Sequence, residues 1–143
     1  MVVLNMLKMS ICSIPVAKAR PRTVFNNGKI RTYTPKKTSV FENELRSLAF
    51  LAMREKQITS KPIALKVSFG IPIPNSWSKI KKQKAINNFI RPVTRPDIDN
   101  YLKCILDGLN NIVFIDDSQV VEIAASKTYM QSPKTEIEIK EIN

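Results

Sequence analysis

The feature that most constrains this chain is the segment 95–119, because it contains every aspartate of the protein. The aspartates fall within 21 residues of a 143-residue chain whose formal net charge is +11. They are Asp97, Asp99, Asp107, Asp116 and Asp117. Clustered carboxylates repel one another unless a counter-charge neutralises them, and hard cations such as Mg²⁺ prefer oxygen ligands of this kind. The segment therefore predicts a divalent metal site.

The first part of this segment predicts a helix over residues 97–110. Apolar residues recur at helical spacing between Ile98 and Leu109. Pro96 suits a helix start, and Gly108 followed by the pair 110–111 suits a helix end, since Gly and Asn tolerate left-handed backbone.

One face of the predicted helix is polar. Asp99, Lys103 and Asp107 follow one another at intervals of four residues, so they share a face away from the apolar stripe. Residues 112–115 then predict a short apolar strand ahead of the last two aspartates. If this strand pairs beside the helix start, either Asp116 or Asp117 meets the first two aspartates, but not both, because strand side chains alternate.

Each carboxylate also has a purely structural interpretation. Asp97 suits a helix N-cap, and Asp99 complements the helix dipole. The polar face then becomes a ladder of surface ion pairs, and the pair 116–117 a turn. The joint clustering in a basic chain favours the metal site over these separate roles.

The same residues carry a resemblance to a known family. The chain reads Pro96-Asp-Ile-Asp-Asn100, then Lys103, then Leu106-Asp-Gly-Leu109, then Asp116-Asp-Ser-Gln-Val120. This pattern resembles the RusA family of Holliday junction resolvases. The segment 18–22, Lys-Ala-Arg-Pro-Arg, is similar to the family's opening, although the first loop has Pro15 and no glycine where relatives often carry one.

The resemblance implies a Mg²⁺-dependent endodeoxyribonuclease, with Mn²⁺ as a substitute, that resolves branched DNA by paired incisions as a homodimer. It implies three metal ligands and a catalytic lysine, which are Asp97, Asp99, Asp117 and Lys103. Supporting groups around them are Asn100, Asp107 and Asp116. The side chains expected to bind DNA are Lys18, Arg20, Arg22 and Arg95.

The charge distribution independently indicates a polyanionic partner. Residues 1–96 contain 19 of the 23 Lys and Arg and only three Glu, whereas residues 97–143 contain four Lys and nine acids. The loop 15–37 is basic, with Phe25 and Tyr33 interleaved and a hairpin predicted around the turn 26–28. Basic residues between aromatics are typical of nucleic-acid contacts. An alternative is a non-catalytic nucleic-acid binder whose acidic face docks a protein partner.

The absence of histidine narrows the chemistry further. It excludes a His general base, His-ligated zinc and the Ser-His-Asp or Cys-His mechanisms.

The remaining periodicities predict one α+β domain over residues 1–143, with a mixed sheet and helices on one face. The first strand, over 4–14, is apolar on both sides and predicts an inner strand. The last strand predicts an edge because its glutamates alternate with isoleucines. The further predicted elements are a helix from Thr38 or Ser39 to about Gln57 with a Ser39–Glu42 capping box, a strand 63–71, a helix 77–87 capped by Ser76, and strands 120–130 and 135–142.

Two further features bear on location. No run of apolar residues approaches the ~18 that a membrane span requires. Cys12 and Cys104 fall inside a predicted strand and a predicted helix, which indicates buried free thiols of a cytoplasmic protein.

Overall fold

The protein was analysed as a computed structural model, which describes residues 2–3, 5–19, 22–33 and 35–143. Within these residues the chain forms eight strands, three α-helices and a short 3-10 helix. In chain order they are β1 (Val2–Val3), β2 (Met6–Ile11), β3 (Arg22–Asn26), β4 (Lys29–Tyr33), α1 (Lys36–Ala52), β5 (Lys56–Gln57), β6 (Ile63–Pro72), α2 (Lys79–Ile86), α3 (Ile98–Leu109), the 3-10 helix (Asp117–Gln119), β7 (Val120–Met130) and β8 (Thr135–Glu141).

The central sheet has four strands in the order β2–β8–β6–β7. Strand β6 is antiparallel to β8 and parallel to β7, so the predicted mixed sheet is confirmed. Two positions within it were predicted wrongly, since β2 is an edge strand and β8 is an inner one. The reason is that the hydrophobicity of a strand's two faces reports which faces can be buried, not how many lateral neighbours the strand has.

The helices pack on one face of this sheet, as predicted. Leu65, Val67 and Phe69 of β6 are buried against α1 and α3, and Phe69 stacks on Tyr101 with ring centroids 5.0 Å apart. The opposite face is polar, and it is lined by Lys8, Ser10, Lys66, Ser68, Glu136 and Glu138. The glutamates of β8 thus face solvent from an inner strand.

Helices α1 and α3 pack closely against each other at Gly108. A Cβ at this position would collide with the Leu45 side chain. The prediction that Gly108 helps to end the helix was therefore wrong, because it lies inside α3 and serves close packing. Asn111 has the left-handed φ of 63° that was expected just beyond the helix end.

Three local predictions differ from the structure. Helix α1 begins at Lys36 and has no side-chain cap, because its N-cap residue is Pro35. Ser39 lies inside the helix, where its hydroxyl donates to the Lys36 carbonyl. Helix α2 is capped by the Ser78 hydroxyl rather than by Ser76. Cys12 is exposed, whereas Cys104 is buried as predicted.

The predicted strand 112–115 is a turn. Val113 and Phe114 are fully buried, but Phe114 makes only isolated bridges to Thr59 and Asn110. An apolar run of four residues has no periodicity that separates a strand from a turn. Among the described residues, no helix is long and apolar enough to cross a membrane.

Candidate functional site

Two of the predicted metal ligands lie together at the start of α3. Asp97 is the N-cap residue and Asp99 lies in the first turn, and both are exposed. The Asp97 carboxylate makes no capping hydrogen bond. Asp99 accepts one hydrogen bond, from the backbone N–H of Asn100 at 3.0 Å. Both carboxylates therefore retain oxygen lone pairs that the protein does not use.

A cleft of about 800 Å³ lies beside this helix start. Asp97, Asn100 and Tyr101 line one side, and the segment 14–19 forms another wall. Four basic side chains also line it, namely Lys18, Arg22, Lys37 and Arg95. A predominantly cationic cleft with a carboxylate at its wall attracts an anionic ligand while keeping an oxygen ligand for a cation beside it.

Lys18 has a structural partner set in addition to its place in the cleft. Its Nζ lies 2.6 Å from Glu42 and 3.1 Å from Asp107, and its backbone N–H donates to the Asn100 carbonyl at 2.8 Å. Burial lowers the pKa of Lys18, but the hydrogen bonds to Glu42 and Asp107 outweigh it, so the net shift is upward. The Lys18 ammonium thus ties the first loop to α1 and α3, and its predicted role in DNA binding stays a prediction.

The predicted polar face of α3 is not a continuous row of ion pairs. Asp107 faces Lys18 and not Lys103. Within the described part of the chain, Lys103 is exposed and has no ion pair with a carboxylate. The surface-ladder interpretation therefore does not describe Lys103.

Asp116 and Asp117 lie at the opposite end of α3 from Asp97. Gln119 holds their turn in place, since its Oε1 accepts from the N–H of Asp116 and its Nε2 donates to the Thr59 and Lys61 carbonyls. The twelve-residue helix α3 separates the two ends by roughly 18 Å. The expectation that one of this pair meets Asp97 and Asp99 within one chain was wrong, because it depended on the strand that is absent at 112–115.

The Asp116 carboxylate is used by the protein itself. It accepts from the Ser118 N–H at 3.2 Å and forms a reciprocal capping box with Gln119. Hydrogen bonding to Ser118 lowers the pKa of Asp116. Asp117 is exposed at the start of the same short helix and has no such bond among the described residues.

Among the described residues, no group of three or more acidic or cysteine side chains is close enough to hold a metal ion. The first two aspartates nevertheless suit a hard cation, because they present carboxylate oxygens with unused lone pairs from the N-cap and the first turn of one helix. They make a partial site that needs a further ligand.

Sequence reasoning missed Lys127. Its Nζ donates to the carbonyls of Thr94 and Pro96, at 3.0 and 3.1 Å. Strand β7 therefore holds residues 94–96, which immediately precede Asp97. The available signal was a lone charge in the otherwise uncharged stretch 123–130. The Arg95–Pro96 peptide in this segment is cis.

Two predicted residues need separate mention. Arg20 lies outside the described residues. Cys104 contacts Glu42 at 3.9 Å, and burial raises the pKa of its thiol to about 12, so it is not a nucleophile.

Two comparisons place the chain among known proteins. A family model described as Endodeoxyribonuclease RusA matches residues 13–140. The chain is also 37% identical over 142 residues to "Uncharacterized protein YqaN" of Bacillus subtilis (strain 168), covering 98% of this chain and 99% of that protein.

Proposed function

Since the chain belongs to the RusA family of endodeoxyribonucleases, we propose that it is a Mg²⁺-dependent nuclease that cuts four-way DNA junctions by paired phosphodiester hydrolysis. The single observation that carries this proposal is the cleft at the start of α3. Its walls contain Arg22, Lys37 and Arg95 together with the Asp97 carboxylate. A DNA phosphate needs cations to bind and a carboxylate-held ion to be hydrolysed.

We propose that Asp97 and Asp99 hold the metal ion with Asp117. When bound, the ion supplies Lewis-acid stabilisation and lowers the pKa of a coordinated water. The chain's own contribution is to present two carboxylates whose oxygens are not occupied by capping bonds. Asn100 supports them by fixing the first loop through its carbonyl.

Asp117 lies beyond the end of α3, about one helix length from Asp97 and Asp99, and cannot share an ion with them within one chain. If all three are ligands of one ion, a second copy of the chain must supply Asp117. Homodimerisation is then a requirement for the site and not only a way to match the two-fold symmetry of a four-way junction.

Lys103 is the proposed catalytic cation. It lies one helical turn after Asp99 and is exposed without a carboxylate partner in the described chain. A positioned ammonium stabilises negative charge that develops on the phosphate or on the leaving oxygen. Asp107 and Asp116, by contrast, support neighbouring structure through Lys18 and Ser118.

The test is cleavage of a synthetic four-way junction by the full chain, with Mg²⁺, with Mn²⁺ and in EDTA. We expect symmetric paired cuts with either metal and binding without cleavage in EDTA. Binding without cleavage under all three conditions would support the non-catalytic alternative instead.

Mixing two inactive variants tests the shared site. A heterodimer of Asp97→Asn with Asp117→Asn contains one site with both substitutions and one with neither, if the partner supplies Asp117. The mixture should therefore nick one strand of the junction, whereas each variant alone should not. If each chain builds its own site, both sites carry one substitution and the mixture stays inactive.

A further inference from the structure

The β3–β4 hairpin presents two chemically different faces. Across an antiparallel pair, partner residues share a face and neighbouring residues alternate. Val24 therefore lies with Arg31, and Asn26 with Lys29, whereas Phe25 lies with its partner Ile30 on the other side.

The Phe25–Ile30 pair is an apolar surface without a protein partner in the described chain. Phe25 is 75% exposed and Ile30 is 71% exposed. Every residue of both strands is exposed, so the hairpin extends from the body of the protein instead of packing on it. The apolar pair lies next to the turn, where Asn27 and Gly28 adopt positive φ of 50° and 73°.

The charge of the hairpin selects among possible occupants of this surface. Residues 22–33 contain Arg22, Lys29 and Arg31 and no acid. A second copy of the chain carries a formal net charge of +11, which disfavours contact with a cationic arm. DNA attracts it, because cations along one face can follow the phosphates while the other face meets the bases.

We infer that Phe25 and Ile30 form a wedge that inserts between bases at the branch point of the junction, an inference that rests on the proposed function. Apolar side chains at the tip of a DNA-binding element commonly separate base steps, at an unstacking cost. That cost is lowest where stacking is already interrupted. The wedge therefore supplies preference for branched over linear DNA, which the cationic face alone cannot supply.

The experiment compares the double variant Phe25→Ala/Ile30→Ala with the parent chain in EDTA, where cleavage cannot interfere. Affinity is measured for a four-way junction and for a duplex of the same sequence, with 2-aminopurine at the branch point reporting unstacking. We expect about ten- to hundredfold weaker junction binding and loss of the fluorescence rise, with duplex binding within about twofold.

Three further variants sharpen the test. Phe25→Trp should retain the fluorescence rise because it keeps a stacking ring. Arg31→Ala should weaken junction and duplex binding by the same factor. Phe50→Ala removes a phenyl ring of similar exposure, 71%, from α1 and should change neither.

The possible failures can be distinguished. Equal loss on junction and duplex, or no loss, overturns the wedge while parental junction cleavage leaves the proposed function standing. A fall in mass by light scattering for the double variant would assign the pair to contact between copies and also overturn it. Absence of junction binding and cleavage by the parent chain overturns both proposals.

Discussion

Helix α3 has aspartates near both of its ends, and the two groups are used differently. At the first end, Asp97 makes no capping bond and Asp99 accepts only a local one. Toward the other end, Asp107 pairs with Lys18 at 3.1 Å, and beyond it Asp116 caps the 3-10 helix. Carboxylates whose oxygens are already bonded to other parts of the protein stabilise the fold, whereas Asp97 in the cationic cleft and Asp99 beside it keep oxygens available to a ligand.

The largest effect expected from this comparison is at the first end. Asp97→Asn or Asp99→Asn should reduce junction cleavage at saturating Mg²⁺ by at least about 10³-fold, because either change removes a carboxylate from the proposed set of metal ligands. Thermal unfolding should be nearly unchanged, since these carboxylates bond little within the protein. Junction affinity in EDTA should be retained or improved, and a variant that loses binding through unfolding would contradict the comparison.

Lys103→Ala is expected to have the next largest effect. The single-turnover cleavage rate should fall by about 10²–10³-fold, by analogy with loss of one oxyanion donor. Melting temperature and Mg²⁺ affinity should change little, because Lys103 has no ion pair in the described chain. Lys103→Arg should recover activity only in part, since a guanidinium is larger and planar. A parental rate for Lys103→Ala would remove its catalytic assignment.

Lys18→Met should reverse the pattern and affect stability more than activity. It leaves Glu42, whose side chain is 18% exposed, without its cation. The expected loss is about 1–2 kcal/mol, less than the ~3–5 typical of fully buried pairs. Junction affinity, measured in EDTA, should fall by less than about tenfold, and a larger fall would place Lys18 in DNA binding as the sequence suggested.

The pH dependence of this variant has a defined sign. The pKa of Lys18 is raised in the folded state, so its stabilisation is present below the unfolded value of 10.5 and is lost as pH rises through the folded value. The difference in melting temperature between parent and Lys18→Met should be constant from neutral pH to about pH 9–10 and shrink above it. A difference that disappears near neutral pH would implicate another group.

Asp116→Ala should give the smallest effect, because this carboxylate is fully exposed. The pKa of Asp116 is lowered by its bond to Ser118, so its stabilisation is present above the unfolded value of 3.8 and is lost as pH falls through the folded value. A slightly lower melting temperature at neutral pH should converge with the parent value in acid. Loss of cleavage in this variant would show that the second group of aspartates also reaches the DNA or the ion.

The sequence was sufficient for elements whose signals are local. Periodicity predicted α3, and the sequence Asn26-Asn27-Gly28 predicted the β3–β4 turn, where positive φ is required. It was insufficient where position depends on residues far along the chain. The pairing of Lys18 with Glu42 and the bonds from Lys127 to Thr94 and Pro96 join such residues.

The residues of the candidate site show the same difference between local signals and positions set by distant parts of the chain. Asp97 and Asp99 could be placed together because one helix start carries both. The position of Asp117 depended on whether 112–115 is a strand or a turn, and a run of four apolar residues does not decide this. Lateral order in the sheet was also inaccessible, because the hydrophobicity of the faces of β2 and β8 does not distinguish an edge strand from an inner one.

The sheet order has a consequence for synthesis of the protein. Strand β8 lies between β2 and β6, so Met6 pairs with Lys140, while Ile63 pairs with Glu141 on one side and Val120 on the other. Almost all central pairings therefore join residues of high sequence separation, which makes folding slow relative to local structure formation. On the ribosome, β2 and β6 have no hydrogen-bonded neighbour until residues 120–141 emerge. Until residues 120–141 have emerged, a nascent chain cannot complete the sheet on which α3 rests, so the candidate site at the start of α3 is not yet supported.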